Sequence, residues 1–193
     1  MTLNRETVLR IFRESEALLE GHFILTSGLH SDKYFQCARV FQYPWHAETL
    51  SRGIADHFRN EAIDVVVSPA VGGIVFGQEV ARLLGVRSIF TERVDGKMTF
   101  RRGFDLKPGE QALVAEDVTT TGGSVKEVME AIRGKEAEIV SVTAVVDRSG
   151  GKVDFDVPYF SLFRMDVKTF QPSACPLCQA GSVPVKPGSR GLK

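Results

Sequence analysis

The sequence predicts an α/β fold: a doubly wound, mainly parallel sheet with helices on both faces, plus a small hood formed by the N-terminal part. Three observations predict it. From residue 62 onward, short β-branched runs alternate with stretches of helical periodicity, the pattern of parallel strands joined by crossover helices. Three of those runs end in polar residues, Ser68-Pro69, Glu116-Asp117 and Asp147-Arg148. Sheets of this kind bind ligands beyond the carboxyl ends of their strands, so three strand ends point at one crevice. The residues before 60 break the alternation, with helical stretches on either side of a turn-rich extended segment.

In chain order, Thr7 to Leu19 carries Val8, Leu9, Ile11, Phe12, Leu18 and Leu19, which reads as an amphipathic helix. FILTSGLHSDKYFQ follows, with Ser27-Gly28 and Ser31-Asp32 as turn signals between short extended pieces, the expected hood. Ala47 to Phe58, with Leu50, Ile54 and Phe58, is a second amphipathic helix. IDVVVS begins the alternation, then a helix from about Ile74 to Leu84, VRSIF, ALVAED, a helix from about Val125 to Arg133, and IVSVTAVVD. Ser124 with Glu127 three residues on makes a capping box for the last helix. The connection from Thr91 to Gly109 holds Arg93, Lys97, Arg101, Arg102 and Lys107 and reads as a mobile lid without structure of its own. Its apolar residues, Met98, Phe100 and Phe104, are few anchors to its own domain. The tail after Pro172 is rich in Pro, Gly and Ser and is expected to end poorly ordered.

A chain of 193 residues suits one domain over 1–193, with helices and hood over about 1–60, an α/β core over about 61–165 and a tail over about 172–193. Lys plus Arg balances Asp plus Glu at 24 each, so no global field attracts nucleic acid or an anionic membrane. No apolar run approaches the roughly 20 residues of a membrane span. The first residues, MTLNRETVLRIF, show helical periodicity instead of a signal-peptide core. With only Cys37, Cys175 and Cys178, a disulfide framework is excluded, and the expected location is the cytoplasm.

The most informative stretch is VAEDVTTTGGS, Val114 to Ser124. An apolar strand runs into two carboxylates and then into small hydroxyl and glycine residues that deliver a helix N-terminus. Backbone N–H groups of such a turn, with the helix dipole behind them, favour a phosphate. Adjacent carboxylates accept from vicinal ribose hydroxyls, or hold Mg2+ beside a pyrophosphate. Neither GxxxxGK[ST] nor GxGxxG is present, which excludes the common nucleotide loops. Phosphate at one end and diol at the other describe a phosphoribosyl group.

VAEDVTTTGGS resembles the phosphoribosyl-pyrophosphate signature of type I phosphoribosyltransferases, and within them the chain is similar to the orotate phosphoribosyltransferases. FILTSGLHSDKYF, SPAVGGI and VVDR add matches in the right order, from about Phe23 to Arg148. The resemblance implies transfer of a 5-phosphoribosyl group from phosphoribosyl pyrophosphate to orotate, with Mg2+, in pyrimidine synthesis. It implies that Glu116 and Asp117 hold the ribose hydroxyls and that Thr121, Gly122, Gly123 and Ser124 hold the 5-phosphate, with Val118, Thr119 and Thr120 completing the loop. Thr120 and Arg148 match positions used on orotate, and Tyr34-Phe35 the aromatic pair beside the base. Lys97 matches the catalytic lysine and Arg93 the arginine near the start of the lid. A homodimer in which each lid reaches the neighbour's site is implied as well. Two other readings stay open: a transferase acting on a purine or another pyrimidine, and a non-catalytic regulator that binds phosphoribosyl pyrophosphate.

The sequence departs from the family in places. Gly72 stands where a lysine is frequent, Thr26 where some members have lysine, and Lys97 is followed by Met98-Thr99 where many carry a histidine two positions on. Cys175-Pro176-Leu177-Cys178 is half of a zinc knuckle or a redox pair, but no second CxxC or HxxxH accompanies it. It is read chiefly as a tail turn with free thiols. His22, His30, His46 and His57 show no ligand spacing, so no metal-ligating residue is nominated.

Overall fold

The computed structural model of the chain describes residues 3–25, 27–165 and 167–187. Helix α1, Arg5–Glu14, starts where the Asn4 side chain accepts the Thr7 N–H at 2.8 Å, and it buries Val8, Ile11 and Phe12. It stops five residues before the expected Leu19. Ser15 turns its hydroxyl back onto the Ile11 carbonyl at 2.7 Å, and Glu16 takes a left-handed φ of 51°. Leu18 and Leu19, which continue the apolar pattern, instead open strand β1, Leu18–Ile24. β1 pairs antiparallel with β2, His30–Phe35, to make the hood.

A short helix α2, Ala38–Phe41, leads to α3, Pro44–Phe58, which starts three residues earlier than periodicity indicated because Pro44 occupies the first turn. Then come β3, Val65–Pro69; α4, Gly73–Leu84; β4, Arg87–Val94; β5, Lys97–Phe100; β6, Gln111–Thr119; α5, Gly123–Arg133; and β7, Glu138–Asp147. Three strands escaped the sequence reading: β5, antiparallel to β4; β8, Tyr159–Arg164, parallel to β7; and β9, Thr169–Phe170, which adds to β2 in the hood. A 3-10 turn and the short α6, Pro176–Gln179, follow in the tail. The end of the tail beyond 187, expected to be poorly ordered, and Thr26 lie outside the described residues.

The main sheet has the order β5-β4-β3-β6-β7-β8, parallel except for β5. Alternation sorts its side chains between two layers. Val66, Leu113 and Ala115 face a core shared with α1, α3 and α4, whereas Val65, Val67, Ala112 and Val114 face one shared with α5. After β3 the chain builds outward through β4 and β5, then returns to the other side of β3 for β6. The switch point therefore lies between the ends of β3 and β6. Phe12 joins hood to core, edge-on to Phe35 at 4.8 Å and to Phe163 at 5.6 Å.

The connection after β4 corrects the expectation of a structureless lid. β4 runs on to Val94, turns through Asp95 and Gly96 with φ of 47° and 83°, and returns as β5. Asp-Gly with both residues at positive φ is the favoured two-residue hairpin turn, so the signal was present in VDGK. Nor does the hairpin lack anchors. Met98 is buried against the α5 layer, Phe100 and Phe104 pack on the same cluster, and Phe104 meets Phe90 at 5.0 Å. Among the described residues no helix is long and apolar enough to cross a membrane.

Candidate active site

β6 is buried along Ala112–Ala115 and reaches the switch point with Glu116 buried and Asp117 half-buried. The local backbone grips both acids: Glu116 Oε1 accepts the Asp117 N–H at 3.1 Å, and Asp117 Oδ1 accepts the Val118 N–H at 2.9 Å. Burial pushes the Glu116 carboxyl well above the usual range, and the neighbouring Asp117 charge adds to this; burial also raises Asp117. Two desolvated carboxylates side by side repel each other, and hydroxyl donors or a cation relieve that repulsion.

The loop after β3 closes the other wall. Gly77 lets α4 lie on β3, since a Cβ there would stand 1.9 Å from Ser68 Oγ. Gly72 and Gly73 bring the loop against the acids: a Cβ on Gly72 would be 3.0 Å from Asp117 Oδ2, and one on Gly73 would be 3.3 Å from Glu116 Oε1. Beneath, the thiol of Cys37 lies 3.9 Å from the Asp117 carbonyl, and burial, followed by the charges of Asp117 and Glu116, pushes its pKa up.

Beyond Asp117, Val118 is half-buried and Thr119 buried, while Thr120, Thr121 and Gly123 are exposed at the crevice side of the turn. Gly122 has φ 77°, and a Cβ on it would come within 2.8 Å of Val153 and 2.9 Å of Phe155, so this position admits only glycine. It is also the N-cap of α5, whose first N–H groups have no carbonyl one turn back. The expected capping box does not form. Ser124 already lies inside the helix, and Glu127 pairs with Arg93 Nη1 at 2.7 Å. Ser124 and the free N–H groups thus remain available to an anion.

Arg148 leaves β7 with its N–H donating to the Thr119 carbonyl at 2.8 Å, which ties it to the same turn. Its Nε is buried without a hydrogen-bond partner among the described residues. Burial works against its charge, while nearby Tyr34 works for it. Of the Tyr34-Phe35 pair, Tyr34 is half-buried with its hydroxyl donating to Gln36 Oε1 at 3.0 Å, whereas Phe35 is turned into the core against Phe12. The alternation of β2 sends these neighbours to opposite faces, so Phe35 has no face to offer a base.

Asp147, which the sequence places at the crevice without a role of its own, anchors this turn. Fully buried, it accepts from Ser149 N–H at 2.8 Å, from the Ser149 hydroxyl at 2.6 Å and from Arg164 Nε at 3.1 Å. It thereby fixes the turn that carries Arg148. An acid closing a β-branched run was the only signal, because Arg164 belongs to the unforeseen β8.

Lys97 and Arg93 stand apart from the acids. Arg93 is held by Glu127 and donates to the Gly96 carbonyl at 2.6 Å. Lys97 is exposed and forms no ion pair among the described residues. β5 is three strands from β6, a lateral separation of about 14 Å at the usual strand spacing.

Comparison with known proteins identifies the family and the fold. A family model for the phosphoribosyl transferase domain matches residues 45–175. The chain is 52% identical over 190 residues, 98% of its length and 100% of the relative's, to the orotate phosphoribosyltransferase of Caldanaerobacter subterraneus subsp. tengcongensis. In fold it resembles the Mycobacterium tuberculosis H37Rv orotate phosphoribosyltransferase solved with Fe(III) dicitrate, with a TM-score of 0.68 at 18% identity, covering 82% of this chain and 96% of that one. It likewise resembles the enzyme of that name from Aeropyrum pernix, with a TM-score of 0.67 at 21% identity, covering 82% and 93%. With half its residues shared along its whole length, the chain belongs to the orotate phosphoribosyltransferase family.

Proposed function

We propose that the chain transfers a 5-phosphoribosyl group from phosphoribosyl pyrophosphate to N1 of orotate, giving orotidine 5'-monophosphate and pyrophosphate. The observation that carries the acceptor is Arg148, a half-buried guanidinium whose Nε has no hydrogen-bond partner among the described residues, at a crevice shared with Tyr34. A guanidinium binds a carboxylate or ring carbonyl with paired donors, and orotate supplies both. Thr120 adds a hydroxyl on the same turn, and the Tyr34 ring lies beside the base. For the donor, Thr121, Gly122, Gly123 and Ser124 with the first turn of α5 hold the 5-phosphate, while Glu116 and Asp117 accept from the ribose hydroxyls.

Glu116 and Asp117 form a hard oxygen donor set whose mutual repulsion a cation relieves, which fits Mg2+. Held by these carboxylates, Mg2+ would supply positive charge to the departing pyrophosphate. The protein's own part is positioning: it fixes phosphate, diol and base so that the ribosyl centre passes between leaving group and acceptor, and it shuts out water. Lys97, with Arg93 near it, adds positive charge to pyrophosphate.

The separation of Lys97 from the acids favours a homodimer in which the hairpin serves the neighbouring site. Trp45, Val71 and Val75, large apolar residues left exposed, offer surface for a second copy. Three free cysteines suit the reducing cytoplasm. The test is pyrophosphate release with phosphoribosyl pyrophosphate and Mg2+, comparing orotate, uracil, adenine and hypoxanthine. Turnover with orotate alone is expected; turnover with a purine and not orotate would overturn the acceptor.

A further inference from the structure

Four side chains that the transfer reaction does not use meet at the junction of hood and tail. His22 comes from β1, His30 from β2, and Cys175 and Cys178 flank and enter α6. One ligating atom from each lies within 4.8 Å of all the others. His22 Nε2 is 2.9 Å from His30 Nδ1, 3.5 Å from Cys175 Sγ and 3.8 Å from Cys178 Sγ, and Cys178 Sγ is 3.4 Å from His30 Nδ1. A tetrahedron with metal–nitrogen bonds of about 2.05 Å and metal–sulfur bonds of about 2.3 Å has edges of about 3.3 Å between nitrogens and about 3.5 Å between nitrogen and sulfur. These four edges lie within about half an ångström of those values, and the remaining two, from Cys175 to Cys178 and to His30, are no longer than 4.8 Å.

The surroundings prepare the same atoms. His22 Nδ1 lies 3.0 Å from the Ser182 carbonyl; a proton donated there leaves the Nε2 lone pair facing the cluster. The β1 bulge between Glu20 and Phe23 carries His22, and its ring turns toward His30 across the hairpin. In the tail, the Gln179 and Gly181 N–H groups return to the Cys175 and Cys178 carbonyls at 3.1 and 2.9 Å, which folds the CPLC turn so that both sulfurs face the two imidazoles. His22, His30 and Cys175 are buried and Cys178 half-buried. All three cysteines are free thiols.

Two nitrogens and two sulfurs close to tetrahedral spacing, with no fifth donor in the cluster among the described residues, select Zn2+ over the hard cations and make a closed four-ligand set. We propose that His22, His30, Cys175 and Cys178 bind one Zn2+ per chain as a closed structural centre that clips the tail onto the hood. The tail has reason to need a clip. The 3-10 turn and α6 bury no residue of their own, Val183 and Val185 are exposed, and backbone hydrogen bonds of Val185 with His22 and Ile24 provide its other anchor.

The test uses the full chain, purified under reducing conditions without chelator. Elemental analysis should find one equivalent of zinc per chain, and Cys178→Ser and His30→Ala should each reduce it below roughly a tenth of an equivalent. Because either variant can misfold, unmodified protein stripped with a chelator is also titrated with Co2+ and then with Zn2+. Tetrahedral thiolate-bound Co2+ absorption that saturates at one equivalent and is bleached by Zn2+ is expected. Chelation should also speed proteolytic cleavage in the tail, with Zn2+ restoring protection. Unmodified protein that contains no zinc and gives no Co2+ thiolate absorption would overturn the proposal, as would a Cys175–Cys178 disulfide persisting in the metal-loaded sample, or stoichiometric zinc that survives both substitutions in folded protein.

Discussion

Gly72 stands against the Asp117 carboxylate: a Cβ at that position would lie 3.0 Å from Oδ2 and 3.1 Å from Oδ1. The loop after β3 therefore fixes where the second acid can point. Gly72 has an ordinary helical φ of −62°, so alanine there carries no backbone strain and acts only by displacing the carboxylate. Because a displacement approaching 1 Å can cost about 100-fold in rate, Gly72→Ala is expected to lower kcat/KM by about tenfold with little change in Tm. Steady-state assays beside thermal melts check this, and unaltered kcat/KM would show that Asp117 tolerates the shift.

Asp117→Asn should separate activity from stability. The carboxyl pKa values of Glu116 and Asp117 are raised in the folded chain, so the folded state holds protons more tightly than the unfolded one. Stability attached to these groups is fully present below the ordinary carboxylate range and is lost as pH rises through the raised values. At neutral pH the amide removes part of that penalty. Relief of about 1 kcal/mol corresponds to a Tm rise of about 2–4 °C for a chain of this size, while turnover falls by orders of magnitude. Melts from pH 5 to 8 should show the gain over the unmodified chain growing with pH; a constant or shrinking difference would contradict the burial argument.

Arg148→Ala removes the guanidinium assigned to orotate and leaves the backbone bond to Thr119 in place. Loss of a charge-assisted interaction of about 1.5–3 kcal/mol raises KM for orotate roughly 10- to 100-fold, with KM for phosphoribosyl pyrophosphate changed far less. Equal rises in both constants would point to general damage. Asp147→Asn offers a useful contrast, since it disturbs the turn without touching the guanidinium and is expected to give a smaller rise of the same kind.

The strands that carry the site were legible because buried parallel strands read as short β-branched runs, and because Glu116, Asp117 and Gly122 each meet a demand visible in one stretch. What escaped depends on partners distant in sequence. Asp147 needs Arg164 from β8, whose mixed YFSLFR pattern reflects an edge strand only half covered. His22 and His30 are eight residues apart, which is no ligand spacing on a helix, and a bulged hairpin is what brings them together. The hairpin at Asp95-Gly96 is hidden for a different reason: the length of the connection and its basic residues suggest a lid, whereas the turn chemistry of Asp95-Gly96 indicates paired strands.

The position of Lys97 leads to a prediction about assembly. β5 is an edge strand, its hairpin is held on its own core through Met98, and it lies about 14 Å to the side of β6 at the usual strand spacing. A hairpin so fixed cannot fold down onto its own acid pair without pulling Met98 out of the core, but its exposed face can meet a second copy. In a two-fold dimer that serves each site with the other chain's Lys97, Lys97→Ala and Asp117→Asn chains are each inactive alone. Mixed dimers then hold one site lacking both groups and one site with both intact. With random exchange about half the dimers are mixed, so recovery should approach about a quarter of the unmodified activity if sites act independently. Native mass spectrometry counts the mixed dimers while the orotate assay measures recovery. Mixed dimers without recovered activity would place Lys97 and Asp117 in the same chain's site, and would require the hairpin to swing away from the core that Met98 now fills.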